Sequence, residues 1–147
     1  MFNQIKKLKI MATRSNIGIL NSDGTVDYIY CHFDGYLSNN GSILNEFYNT
    51  EEKVRELIAL GDISSLGEEI GKKQDFNGPR NKNWCLAYGR DRGESDTEAR
   101  KCSYVDYTKE HFEEYVYLFT PGKGWSVRAY GTNFWTELDK ALATMEI

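Results

Sequence analysis

The sequence predicts a single α+β domain: an antiparallel β-sheet made from an N-terminal and a C-terminal hairpin, with helices packed on one face. Three observations carry that expectation. Ser15 to Phe33 read as two β-rich runs around Asp23-Gly24, and Tyr115 to Tyr130 as two more around Pro121-Gly122-Lys123-Gly124. Between them, apolar residues recur at helical spacing. The domain is placed at residues 12–147, after a basic arm at residues 1–11.

Each element follows from local chemistry. The arm, MFNQIKKLKIM, is amphipathic and basic, and Met11 before Ala12-Thr13-Arg14-Ser15 reads as an alternative start. Asp23-Gly24 accommodates the positive φ that a tight hairpin needs. In the second strand, alternation puts Val26, Tyr28, Tyr30 and His32 on one side and Asp27, Ile29, Cys31 and Phe33 on the other. The segment Asp34-Gly35-Tyr36-Leu37-Ser38-Asn39-Asn40-Gly41 is dense in turn formers, and a helix is expected from Ser42 through Tyr48. Thr50 followed by Glu51 and Glu52 marks another helix start, Val54, Leu57, Ile58 and Leu60 its apolar stripe, and Gly61 its end.

Ser64 or Ser65 is expected to cap a further short helical turn with Leu66 and Ile70 inward. Residues 72–83 contain Gly78-Pro79 and read as a loop, Trp84 to Tyr88 as a short strand, and Gly89 to Asp96 as a solvated loop. A strand near Cys102 to Tyr107 and a Thr108-capped turn follow. After the second hairpin, Thr136 is expected to cap a closing helix carrying Leu138, Leu142 and Met145.

Composition bounds the function classes. A chain of 147 residues reaches the size at which one core suffices, and 14% aromatic residues argue against disorder. Three cysteines, Cys31, Cys85 and Cys102, are an odd set without CxxC spacing, which points to reduced thiols in a cytosol rather than to a disulfide framework or a zinc ribbon. No apolar run approaches the roughly 18 residues that span a bilayer, and no secretion signal is visible, so the expected location is the cytoplasm. Lys6, Lys7, Lys9 and Arg14 make the start basic, leaving 14 basic against 22 acidic side chains elsewhere. Such an acidic body disfavours direct nucleic-acid binding and suits a basic protein surface.

The stretches Thr13-Arg14-Ser15-Asn16-Ile17, Asp23-Gly24-Thr25-Val26 and Ile29-Tyr30-Cys31-His32-Phe33-Asp34-Gly35-Tyr36 resemble a family of small bacteriophage and prophage proteins. So do Leu57-Ile58-Ala59-Leu60-Gly61-Asp62-Ile63-Ser64-Ser65-Leu66-Gly67 and Tyr88-Gly89-Arg90-Asp91-Arg92-Gly93-Glu94, so that the resemblance covers most of Met11 to Glu94. It implies a phage or mobile-element origin inside a bacterial host cell. By association, it also implies a role against host defence, in the manner of an anti-CRISPR protein.

Two polar segments are candidate ligand or partner sites. The first is His32, Asp34, Tyr36, Asn39 and Asn40, where an imidazole beside a carboxylate could act as a general base or, protonated, bind phosphate. Its structural alternative is a strand end and a turn satisfying local backbone groups. The second is Arg90, Asp91, Arg92 and Glu94, whose guanidinium groups could grip a phosphate bidentately, or whose alternating charges could neutralise one another on a solvated loop. Cys31 points away from His32, so no thiol–imidazole pair is expected. With two histidines and no HxxxH spacing, no metal is expected, and no Walker, dinucleotide, GxSxG or kinase motif implies a cofactor.

Three classes remain open. One is an accessory protein that binds and inhibits a host factor, a nucleic-acid-binding defence effector, through carboxylates such as Asp62, Glu68, Glu69, Glu94, Asp96, Glu98, Glu110, Glu113 and Glu114. Another is a sponge for a small anionic signalling nucleotide, held by His32, Tyr36, Arg90 and Arg92. The last is a small enzyme using His32 and Asp34 as acid and base.

Overall fold

Ile17 and Ile19 point to one face of the first strand and Asn16 and Gly18 to the other, and all four are buried. This strand, β1 (Ser15–Leu20), therefore needs cover on both faces and partners on both edges. The computed structural model describes residues 12–110 and 112–145, so the arm at residues 1–11 lies outside the described residues. On one edge, β2 (Thr25–Cys31) pairs antiparallel, from Ser15 opposite Cys31 to Leu20 opposite Val26. At the turn only Gly24 is left-handed, with φ 89°. Asp23 instead uses its carboxylate to accept the Thr25 N–H at 3.0 Å and the Thr25 hydroxyl at 2.6 Å.

On its other edge β1 pairs with β6 (Tyr115–Thr120), and this pairing is parallel. β6 continues antiparallel to β7 (Gly124–Arg128) and then β8 (Thr136–Glu137). The outer edge of β2 is shared: β5 (Arg100–Ser103) runs antiparallel along Thr25 to Tyr28, while β3 (Ile63–Ser65) pairs parallel at Cys31 and leads to β4 (Leu86–Ala87). The order is β4-β3-β2-β1-β6-β7-β8, with β5 beside β2. The α+β class and both hairpins are as expected. The two parallel pairings, to strands distant in sequence, are not.

A π-helical turn, Leu37–Gly41, runs into α1 (Ser42–Phe47). Next comes α2 (Glu51–Ala59), whose Thr50 hydroxyl accepts the Lys53 N–H at 3.2 Å and whose Val54, Leu57 and Ile58 are buried. With α5 (Leu138–Ala143), these helices bury Leu44, Leu57 and Leu138 against Ile17, Ile19, Ile29, Tyr117, Trp125 and Val127. The opposite face is covered by α4 (Tyr104–Lys109), whose Tyr107 packs with Val26, Val116 and Leu118. Helices thus stand on both faces, because Gly18 leaves a hollow on the second face that the Tyr107 ring fills.

Four local expectations change. Ser64 and Ser65 cap no helix: they lie in β3, where Ile63 pairs with both Cys31 and Ala87 and Ser65 pairs with Leu86. Gly89 to Asp96 is not wholly loop, since α3 (Tyr88–Arg92) forms and buries the Asp91 side chain. β5 stops at Ser103, whose hydroxyl accepts the Asp106 N–H at 3.0 Å and so starts α4, while Thr108 bonds back to the Tyr104 carbonyl. Thr136 is paired in β8, so α5 begins after Glu137. Among the described residues no helix is long and apolar enough to cross a membrane.

Candidate functional site

β2 ends at Cys31 and delivers Tyr30 and His32 to the same face, as alternation requires. The Tyr30 hydroxyl accepts Arg14 Nε–H at 3.0 Å and lies 2.7 Å from His32 Nδ1. Arginine can only donate, so the Tyr30 oxygen accepts from Arg14 and the hydroxyl keeps its own proton for His32 Nδ1 when the neutral imidazole is protonated on Nε2; with the proton on Nδ1 the imidazole donates to the hydroxyl instead. Burial, and then the charge of Arg14, hold His32 below its usual value of 6.5.

Asp34 is not its partner. Its carboxylate accepts the Tyr36 hydroxyl at 3.4 Å, and its carbonyl accepts Asn40 N–H at 3.2 Å and Asn39 Nδ2–H at 3.3 Å. Asn40 is fully buried: its Nδ2 donates to Ser15 Oγ at 3.1 Å and Cys31 Sγ at 3.4 Å, and its Oδ1 accepts from Asn39 at 2.9 Å. These bonds lace the segment to the start of β1. The arrangement fixes a loop; it does not pair an acid with a base. Cys31 is buried, and burial pushes its thiol up to about 12, so it remains protonated.

Arg90 and Asp91 form a second structural knot. Asp91 accepts Ala87 N–H at 2.8 Å, Gln74 N–H at 3.0 Å and Arg90 Nε–H at 2.9 Å. Burial alone would raise its carboxyl, but these bonds hold it below the usual value. The Arg90 guanidinium also donates to the carbonyls of Ile70 and Cys85, each at 2.8 Å. It is consumed in pinning the segment before β4 onto α3, which leaves it no fork for a phosphate. Arg92 is exposed, paired with Glu94, and stacked 4.5 Å over Phe76 and 4.8 Å over Tyr88. Among the described residues no hydrogen bond or ion pair joins His32–Asn40 to Arg90–Glu94, because β3 lies between the two segments in the sheet.

Other groups come together without any local sequence signal. The outer edge of β2 changes partner between Tyr28 and Cys31, and there Asp62 accepts Tyr30 N–H at 2.9 Å and both Nη groups of Arg100, at 3.0 and 2.7 Å. A cleft of about 460 Å³ has Phe47, Ile70 and Trp84 as its apolar lining and Lys53, Glu56, Glu68, Glu69 and Lys72 as its polar lining. The Trp84 ring lies against Gly71, where a Cβ would come within 2.3 Å of it, and the backbone bonds of Glu69 to Asn83 and Cys85 form an isolated parallel bridge between Glu69 and Trp84. Clefts lined from residues far apart in sequence leave no motif. The nearest signal was the Glu68-Glu69 pair.

Comparison of the chain with protein-family models, with curated proteins and with solved structures finds no match. Among the described residues no group of three His, Cys, Asp or Glu side chains is placed to hold a metal ion; His111 lies outside them.

Proposed function

We propose that this protein is a phage or mobile-element accessory protein that binds and inhibits a basic host factor, of the kind that defends bacteria by acting on nucleic acid. The observation that carries this reading is the Trp84 cleft: a held aromatic ring with Glu56, Glu68 and Glu69 beside it. A Lys or Arg side chain of a partner would meet both the π-face and carboxylates there, and the surplus of acidic side chains would steer the approach. Lys53 and Lys72 on the same cleft would set the register of the partner's charges. The phage origin itself rests on the motif resemblance.

The test is capture from bacterial lysate with the parent protein and with the Glu68→Lys/Glu69→Lys variant, followed by association kinetics against the captured factor. A basic, nucleic-acid-binding partner is expected, with association slowed at least tenfold in the variant and by added salt. Equal capture by both proteins, or an acidic partner, would remove this surface from consideration.

A further inference from the structure

A second cleft, of about 520 Å³, lies where β1 and β6 begin and β7 ends. In a chain with more acidic than basic residues, it gathers Arg14, Lys109 and Arg128. Two of these cations are held in place: Arg14 by its Nε–H bond to Tyr30 at 3.0 Å, and Arg128 by Nη1–H to the Glu110 carbonyl at 3.0 Å. Among the described residues none of the three forms a salt bridge, so their charges line the cleft without a carboxylate partner within ion-pair distance. Phe112 and the exposed Tyr130 supply aromatic surface in the same lining.

The carboxylates of the cleft narrow the ligand further. Glu114 is engaged with the Arg14 N–H at 3.1 Å, and Glu113 is positioned through its own N–H on Asn16 Oδ1 at 3.0 Å. A bare polyanion would be repelled by both. A ligand that carries phosphate together with hydroxyl donors suits the mixture: guanidinium and ammonium for the phosphate, a carboxylate for paired ribose hydroxyls, and rings for a base. The volume lies within the range of small-molecule sites.

We propose that this cleft binds a free nucleoside phosphate through Arg14, Lys109 and Arg128, with Phe112 or Tyr130 against the base. The inference stands independently of the host-factor reading, which uses a different cleft. Nucleotides at the end of a strand share this chemistry, but the acidic body opposes a long polyanion.

Isothermal calorimetry on the full chain would compare ATP, AMP, a cyclic dinucleotide, adenosine, inorganic phosphate and a short single-stranded oligonucleotide. At least one nucleotide is expected to bind about tenfold or more tighter than adenosine or phosphate, since each charge-assisted bond carries that much discrimination. Lys109→Ala and Arg128→Gln should each weaken it about tenfold, and Arg92→Gln should leave it unchanged. Arg128→Gln removes the bond to Glu110, so the exposed Lys109→Ala variant, with an unaltered melting temperature, is decisive if the other fails to fold. No binding of any nucleotide at millimolar concentration, phosphate binding as tightly as the nucleotides, indifference to Lys109→Ala, or tighter binding of the oligonucleotide would each overturn the proposal.

Discussion

The ring of Tyr107 stands over Gly18 so closely that a Cβ on the glycine would come within 2.9 Å of its Cζ and Oη. The ring cannot retreat cheaply, because it is fully buried and its hydroxyl donates to the Tyr117 carbonyl at 2.7 Å. Gly18→Ala should therefore destabilise the fold by about 1–3 kcal/mol through overpacking. Tyr107→Phe keeps the ring and should cost about 1 kcal/mol for the lost hydrogen bond. Urea midpoints of both variants check the pair, and a neutral Gly18→Ala would mean that the ring does not occupy this hollow.

The two arginines of the Arg-Asp-Arg run should separate in stability. Arg90→Gln strands the buried Asp91 carboxylate and is expected to cost about 3 kcal/mol. Adding Asp91→Asn should recover part of that loss by removing the stranded charge. Arg92→Gln breaks only an exposed pair and a surface stack, with an expected cost of about 1 kcal/mol or less. Similar denaturation curves for the two single variants would contradict the assignment of Arg90 as a crosslink.

His32 gives a pH signature of definite sign. Its folded value is depressed from 6.5, so the unfolded chain takes up the proton first as the pH falls. Stability from this group is present above the unfolded value and declines below it until the folded value is reached. The difference in unfolding free energy between the parent and His32→Gln, followed from about pH 8 to about pH 5, should shrink as the solution becomes acidic. A difference that grows toward acid would show that His32 is charged in the fold, with Nδ1–H donating to the Tyr30 hydroxyl.

At Gly24 nothing stands within 4 Å of where a Cβ would be, so any cost of substitution is in the backbone. Gly24→Val should lose about 1–3 kcal/mol of stability because φ 89° is unfavourable for a β-branched residue. Gly24→Asn should lose less, since a short polar side chain tolerates the left-handed region. Equal costs for Val and Asn, measured by thermal unfolding, would point to a clash instead.

What was legible in the sequence was local. The hairpins around Asp23-Gly24 and Pro121-Gly122, the Thr50 cap and the placement of Cys31 on the Ile29 face, away from His32, each depend on residues within a few positions of one another. The parallel pairing of β1 with β6 leaves no such trace, because any strand apolar on both faces could have supplied the partner. Ser64 and Ser65 look like helix caps in isolation, and only the backbone groups offered by Cys31 and Leu86 make that segment a strand. For the candidate sites, residue type was informative but commitment was not. Nothing in Arg-Asp-Arg says that the carbonyls of Ile70 and Cys85 will claim one guanidinium and leave the other outside. The clefts around Trp84 and around Arg128 draw on residues from separate elements, which only the fold brings together.

The pairing of Ser15 with Tyr115 also sets a timetable for synthesis. When β1 and β2 leave the ribosome they can close their hairpin at once, yet the far edge of β1, with Ile17 and Ile19 on one face, has no partner until β6 follows about five to twenty seconds later at ordinary elongation rates. During that interval an unpaired apolar edge is presented to the cell, the configuration most prone to pair with another nascent chain. Translation that stops short of Tyr115 would leave the edge open permanently, so products shortened before β6 should collect in aggregates or be degraded more than chains that include it.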